Sequence, residues 1–156
     1  IEKEFGKIMG KEYGFFEEYK TDDADVVLVA LSSVCGTTKF VIDKLRKAGK
    51  KVGLIKLRVF RPFPFAELRK TLSKFKVVGI LDRSLSFGAF PPLYSEIKAA
   101  VQGDKNAPKL ISYVHGLGGR DTTVDQLEKI YDRLFNILET GEIGEELNFS
   151  GIRESN

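Results

Sequence analysis

Residues 25–31 (DVVLVAL) form a nearly unbroken apolar, β-branched run, the pattern of a strand buried on both faces. It is followed by helical spacing over 39–48, which Gly49 stops. Four such strand-like runs alternate with helices along the chain. The spacing predicts strands at 25–31, 52–59, 77–82 and 109–114, and helices at 39–48, 65–75, 92–101 and 124–138. That alternation restricts the fold to α/β, with parallel strands joined by right-handed crossovers and helices on both faces of one sheet. Between strand and helix, Arg61-Pro62-Phe63-Pro64 reads as a rigid turn, because two prolines so close suit neither a helix interior nor a ladder.

The 156 residues suit one domain with a full core. Net charge is +3, with lysines interleaved among acids along the chain, which reads as a solvated surface and not a nucleic-acid face. One cysteine excludes a disulfide framework and any cluster or zinc held by this chain's cysteines alone, and one histidine makes an all-protein transition-metal site improbable. No apolar run reaches membrane-spanning length and no secretory signal is present, so a cytoplasmic protein without membrane contact is expected. The start at Ile1 leads to the expectation of a piece of a longer polypeptide. Residues 1–20 read as an N-terminal linker helix and edge segment, 21–140 as the main domain, and 141–156 as a glycine- and acid-rich tail lying loosely on the surface.

Residues 113–127 (YVHGLGGRDTTVDQL) carry the grammar of strand, tight turn and helix at a strand's carboxyl end, where α/β proteins place their working surface. Gly116, Gly118 and Gly119 give the turn its backbone. A dinucleotide fingerprint fails there, because Asp121 stands where the third glycine belongs and would repel a pyrophosphate. A second strand end carries residues 32–38 (SSVCGTT) ahead of a helix. Its hydroxyls and glycine suit either helix capping or an anion site such as a flavin phosphate; no P-loop is present. Cys35, His115 and Asp82 would all lie toward the carboxyl edge, so a small cysteine hydrolase can be drawn, against the coincidence that any such edge gathers polar residues. Finally, Phe87, Phe90, Pro91 and Tyr94 beside Arg83 have the composition of a protein interface, or of aromatics that simply cover the sheet edge.

Taken together, residues 24–31 (ADVVLVAL), 47–64 (KAGKKVGLIKLRVFRPFP), 82–88 (DRSLSFG) and 116–123 (GLGGRDTT) resemble the transketolase C-terminal-type domain of the 2-oxoacid:ferredoxin oxidoreductases, most closely the alpha chain of the pyruvate-using members. The resemblance runs in order over about residues 14–140. It implies a three-layer α/β/α sandwich with a mixed five-stranded sheet, order 1-3-2-4-5, strand 1 antiparallel and formed by residues 15–20. It implies an enzyme that decarboxylates pyruvate on thiamine diphosphate with magnesium, reduces ferredoxin through iron–sulfur clusters and delivers acetyl to coenzyme A. The catalytic, cofactor and metal sites are then expected in other domains and subunits. The residues left for this piece are interface candidates at the carboxyl edge: Arg83, Phe87, Phe90, Arg120 and Asp121.

Overall fold

The computed structural model describes residues 2–10 and 13–152. Ile1, Lys11 and Glu12, which belong to the expected N-terminal segment, and the last four residues of the tail lie outside the described residues. The element order is α1 (Glu2–Met9), β1 (Phe16–Tyr19), β2 (Val26–Leu31), α2 (Val34–Lys47), β3 (Val52–Leu57), α3 (Phe65–Leu72), β4 (Val77–Asp82), α4 (Pro92–Val101), β5 (Lys109–His115), a short 3-10 turn (Leu117–Gly119), α5 (Val124–Thr140) and β6 (Leu147–Ser150).

The strands form one sheet in the order β1-β3-β2-β4-β5-β6, with β1 antiparallel to β3 and the other pairs parallel. The expected order and the antiparallel first strand are therefore present. The loose tail is not: Leu147–Ser150 adds a sixth strand, pairing with Ser112–His115. Its anchors are polar, which is why hydrophobic periodicity missed it. Asn148 donates to the Ser112 carbonyl, and Arg133 donates to the carbonyls of Ile143 and Glu145 and to the Asn148 side chain.

β2 sits at the centre, and its side chains alternate between two apolar layers, as a period of two demands. Val26, Leu28 and Ala30 pack with α2 and α5 on one face; Val27 and Val29 pack with α3 and α4 on the other. All five are fully buried, so the continuous apolar run is the direct consequence of having helices on both sides. Tyr131 of α5 crosses the layer and donates its buried hydroxyl to the Gly53 carbonyl at 2.9 Å.

The largest departure of a helix boundary from the sequence reading is at the start of α2. α2 begins at Val34, five residues before the expected start at Lys39. Gly36 lies in its first turn and is tolerated there, while the Thr38 hydroxyl is absorbed by donating to the Val34 carbonyl at 2.8 Å.

Candidate functional site at the carboxyl edge

The carboxyl ends of β2, β4 and β5 converge on a cleft of about 430 Å³, lined by Ser32–Val34 and Thr37 on one side, Leu81–Ser84 below, and His115 with Arg120–Thr122 opposite. Adjacent central strands whose crossovers leave on opposite faces must open such a crevice. The Ser32–Thr38 and Arg83–Phe90 loops thus become neighbours, as expected from strand order.

Asp82, Arg83, His115 and Arg120 at this edge each have a local structural partner. Asp82 is 5% exposed and receives the N–H groups of Leu93 at 3.2 Å and Tyr94 at 3.0 Å. Pro91 and Pro92 have no N–H, so these are the first donors α4 can offer, and Asp82 caps the helix across the loop. Burial pushes its carboxyl up to about 6, with the Leu93 N–H pulling the other way. A folded pKa above the unfolded 3.8 means that the folded state holds the proton more tightly. That contribution is complete below the unfolded value and is lost as pH rises through the folded one. The stability difference between wild type and Asp82→Asn should therefore move against wild type by about 1–3 kcal/mol as pH rises from about 4 to 7. Denaturant melts of both proteins across that range read the shift; parallel pH profiles contradict it.

The cysteine–histidine–aspartate arrangement does not form. Cys35 is 1% exposed within the layer between the sheet and α2, and burial pushes its thiol up to about 11, so no thiolate is favoured at the helix start. His115 instead meets Thr122, Nδ1 to Oγ1 at 2.8 Å, while Asp82 is committed to α4. The small-hydrolase reading is thereby overturned. Side-chain capping at the start of α2 is also absent: Ser33 occupies the cap position and makes no cap hydrogen bond. At α5 a threonine cap is present, with Thr123 and Gln126 bonding reciprocally.

Gly118 and Gly119 both have positive φ, +66° and +78°, with open space where a Cβ would stand. Their role is conformational and not a close approach. Alanine at either should cost about 1–3 kcal/mol through strain alone, read as a lower melting temperature of the chain. A neutral effect at both positions contradicts this. Gly116 (φ +64°) differs, because a Cβ there would stand 3.1 Å from the Arg83 Nε and 3.2 Å from the Arg120 carbonyl.

Of the expected aromatic patch, Phe87 is fully exposed and Phe90 is 38% exposed, but Pro91 and Tyr94 are buried. Those two face inward, Tyr94 within the α3–α4 layer, so the outward patch consists of Leu85, Phe87 and Phe90 with Arg83. Arg120 donates to the Gly151 carbonyl at 2.6 Å, tying the turn to the end of β6, and Asp121 is exposed without a hydrogen bond or ion pair among the described residues. The sequence reading missed Thr122 as the partner of His115, since nothing in spacing distinguishes it from Thr123.

Among the described residues no group of three or more histidine, cysteine or acidic side chains could hold a metal ion. A single core thiol does not suit an iron–sulfur cluster, and no residue set here fits a metal-bound diphosphate. The cleft contains no phenylalanine, tyrosine or tryptophan on which a flavin ring would stack.

The sheet order with an antiparallel first strand, and the cleft at its carboxyl edge, define the chain as an α/β domain with a mixed sheet. The family described as pyruvate:ferredoxin oxidoreductase core domain II matches residues 24–127, and the chain belongs to it. It is 43% identical over 154 residues to the pyruvate synthase subunit PorA of Thermotoga maritima, covering 99% of this chain and 38% of that protein. It is 37% identical over 150 residues to PorA of Pyrococcus furiosus, and likewise to the ketoisovalerate oxidoreductase subunit VorA of Pyrococcus abyssi, covering 96% of this chain and 38% of each relative. The chain therefore spans under two fifths of the length of the relatives it matches. A solved 2-oxoglutarate:ferredoxin oxidoreductase from Magnetococcus marinus shares the fold, with a TM-score of 0.55 at 18% identity over 85% of this chain and 21% of that one. The flavodoxin-like alternative finds no support in this family membership.

Proposed function

We propose that this chain is the packing and assembly domain of a 2-oxoacid:ferredoxin oxidoreductase alpha subunit whose substrate is pyruvate. In the whole enzyme, thiamine diphosphate, magnesium and iron–sulfur clusters reside in other domains and subunits, coenzyme A accepts the acetyl group, and ferredoxin accepts the electrons. The chain itself contributes a rigid sheet and a carboxyl-edge surface made of Arg83, Phe87, Phe90, Arg120 and Asp121. The observation that carries this reading is the match over 99% of the chain to 38% of a pyruvate synthase subunit. A cytoplasmic location is part of the proposal; no helix among the described residues is long and apolar enough to cross a membrane.

An aromatic residue held fully in water at a sheet's functional edge costs solubility unless something covers it, and interface centres are built from such anchors beside arginine. Phe87 with Arg83 fits that description. The 156-residue chain should fold alone, because both apolar layers are complete within it. It should neither turn over pyruvate nor bind thiamine diphosphate. Titration calorimetry tests this directly: no saturable heat is expected, and saturable thiamine diphosphate binding at micromolar affinity would sink the reading.

A further inference from the structure

We propose that the outer edge of β6 pairs, antiparallel, with the same strand of a second copy of this chain, joining two six-stranded sheets into one. The Ser112 N–H donates to the Glu146 carbonyl at 2.8 Å, and the parallel ladder runs on from there through every second residue of β6. Glu146, Asn148 and Ser150 therefore turn their backbone groups toward β5. The N–H and C=O of Leu147 and Phe149 turn outward, and no hydrogen bond reaches them among the described residues.

The two ends of the sheet are finished differently. On the far side, β1 carries charge along its length: Glu17 pairs with Lys39 and Arg58, and Glu18 accepts from the Thr21 hydroxyl. Charged side chains on an edge discourage strand addition. β6 (LNFS) has no charge, no proline and no bulge against β5, and Phe149 is 42% exposed. An edge of that composition is a template for another strand.

The strand is complementary to itself. Side chains alternate between faces, so Leu147 and Phe149 lie on one face and Asn148 on the other. With the two-fold axis at Asn148, Leu147 of each copy stands opposite Phe149 of the other. Both residues turn their backbone outward, so each such pair exchanges two N–H···O=C bonds and every outward group of the strand finds a partner. The same register makes apolar cross-strand pairs of leucine and phenylalanine. It also lays Glu145 against the second copy's Gly151, whose carbonyl is held by Arg120 at 2.6 Å. Glu145 and Arg120 are exposed, and neither has an ion pair among the described residues. The acid that enters the strand and the arginine at its exit thus meet between copies, twice by symmetry. Only antiparallel pairing brings them together.

A four-residue strand edge is a small interface, so the expected dimer is weak, dissociating at about 0.1 mM. Sedimentation equilibrium of the 156-residue chain, spanning about tenfold either side of that value, should show monomer passing to dimer. Amide exchange at the top of the range should find the Leu147 and Phe149 N–H groups protected. Phe149→Pro removes an outward N–H and no ladder bond to β5, so the variant should stay monomeric throughout. Glu145→Arg changes an exposed side chain and sets it against Arg120, which should weaken the dimer about tenfold. Melting curves of dilute samples report whether each variant keeps the fold. If Phe149→Pro loses it, Glu145→Arg decides, and an unweakened dimer overturns the proposal. So does a wild-type chain that stays monomeric, or a dimer that folded Phe149→Pro leaves intact. Protection of the two amides only in the intact oxidoreductase also overturns it, and would give the edge to a strand from another segment or subunit.

Discussion

Leu134→Ala is expected to destabilise the chain by about 3–5 kcal/mol, the cost of a cavity in a core that cannot collapse onto it. Leu134 is fully buried on α5 and packs onto the sheet where β4 carries Gly79. A Cβ on Gly79 would stand 2.6 Å from Leu28 Cδ2 and 3.2 Å from Leu134 Cδ1. Glycine is thus required on β4 because two leucines, one from the neighbouring strand and one from the covering helix, already fill the space above it. Gly79→Ala alone should cost about 1–3 kcal/mol by overpacking. In the Leu134→Ala background the added methyl has room, since Leu28 can rotate into the vacated volume. The double variant should then be more stable than the sum of the two single losses by about 1 kcal/mol or more. Denaturant unfolding of the four proteins closes this cycle. Additivity within the usual scatter contradicts the packing described for this layer.

The elements that carry apolar periodicity were legible. Val26–Leu31, Val77–Asp82 and Pro92–Val101 appear where the pattern put them, because burial on both faces or on one helical stripe leaves a direct trace in residue type. β6 left no such trace. Its four residues, LNFS, are half-buried or exposed, and it is held by Arg133 and Asn148, whose reach no local pattern reveals. β1 was fainter in composition: its residues read as an edge segment, and the family resemblance made it the antiparallel strand. At the cleft, strand order brought the right loops together on paper, yet the roles came out differently. Asp82 caps α4 and His115 pairs with Thr122, while Cys35 turned inward; these are side-chain directions, which strand order does not specify. The aromatic loop was half legible for the same reason. Phe87 and Tyr94 have similar composition signals, but only the structure separates the ring in water from the ring in the core.

The central claim, that this domain meets the rest of its enzyme through its carboxyl edge, is tested most directly at Phe87. The side chain is fully exposed in the isolated chain, so Phe87→Asp removes no internal packing and should change the chain's melting temperature by no more than a surface substitution does. Burying a charge at the centre of an apolar interface, by contrast, costs several kcal/mol, so association of the intact oxidoreductase should weaken by about a hundredfold or more. Analytical ultracentrifugation of the intact enzyme, wild type beside Phe87→Asp, reads that difference, with the isolated chain's melting curve as the control. Loss of assembly with an unchanged melting curve is the result expected here. An oligomer of wild-type size and affinity carrying Phe87→Asp would contradict the account and leave the edge without a partner.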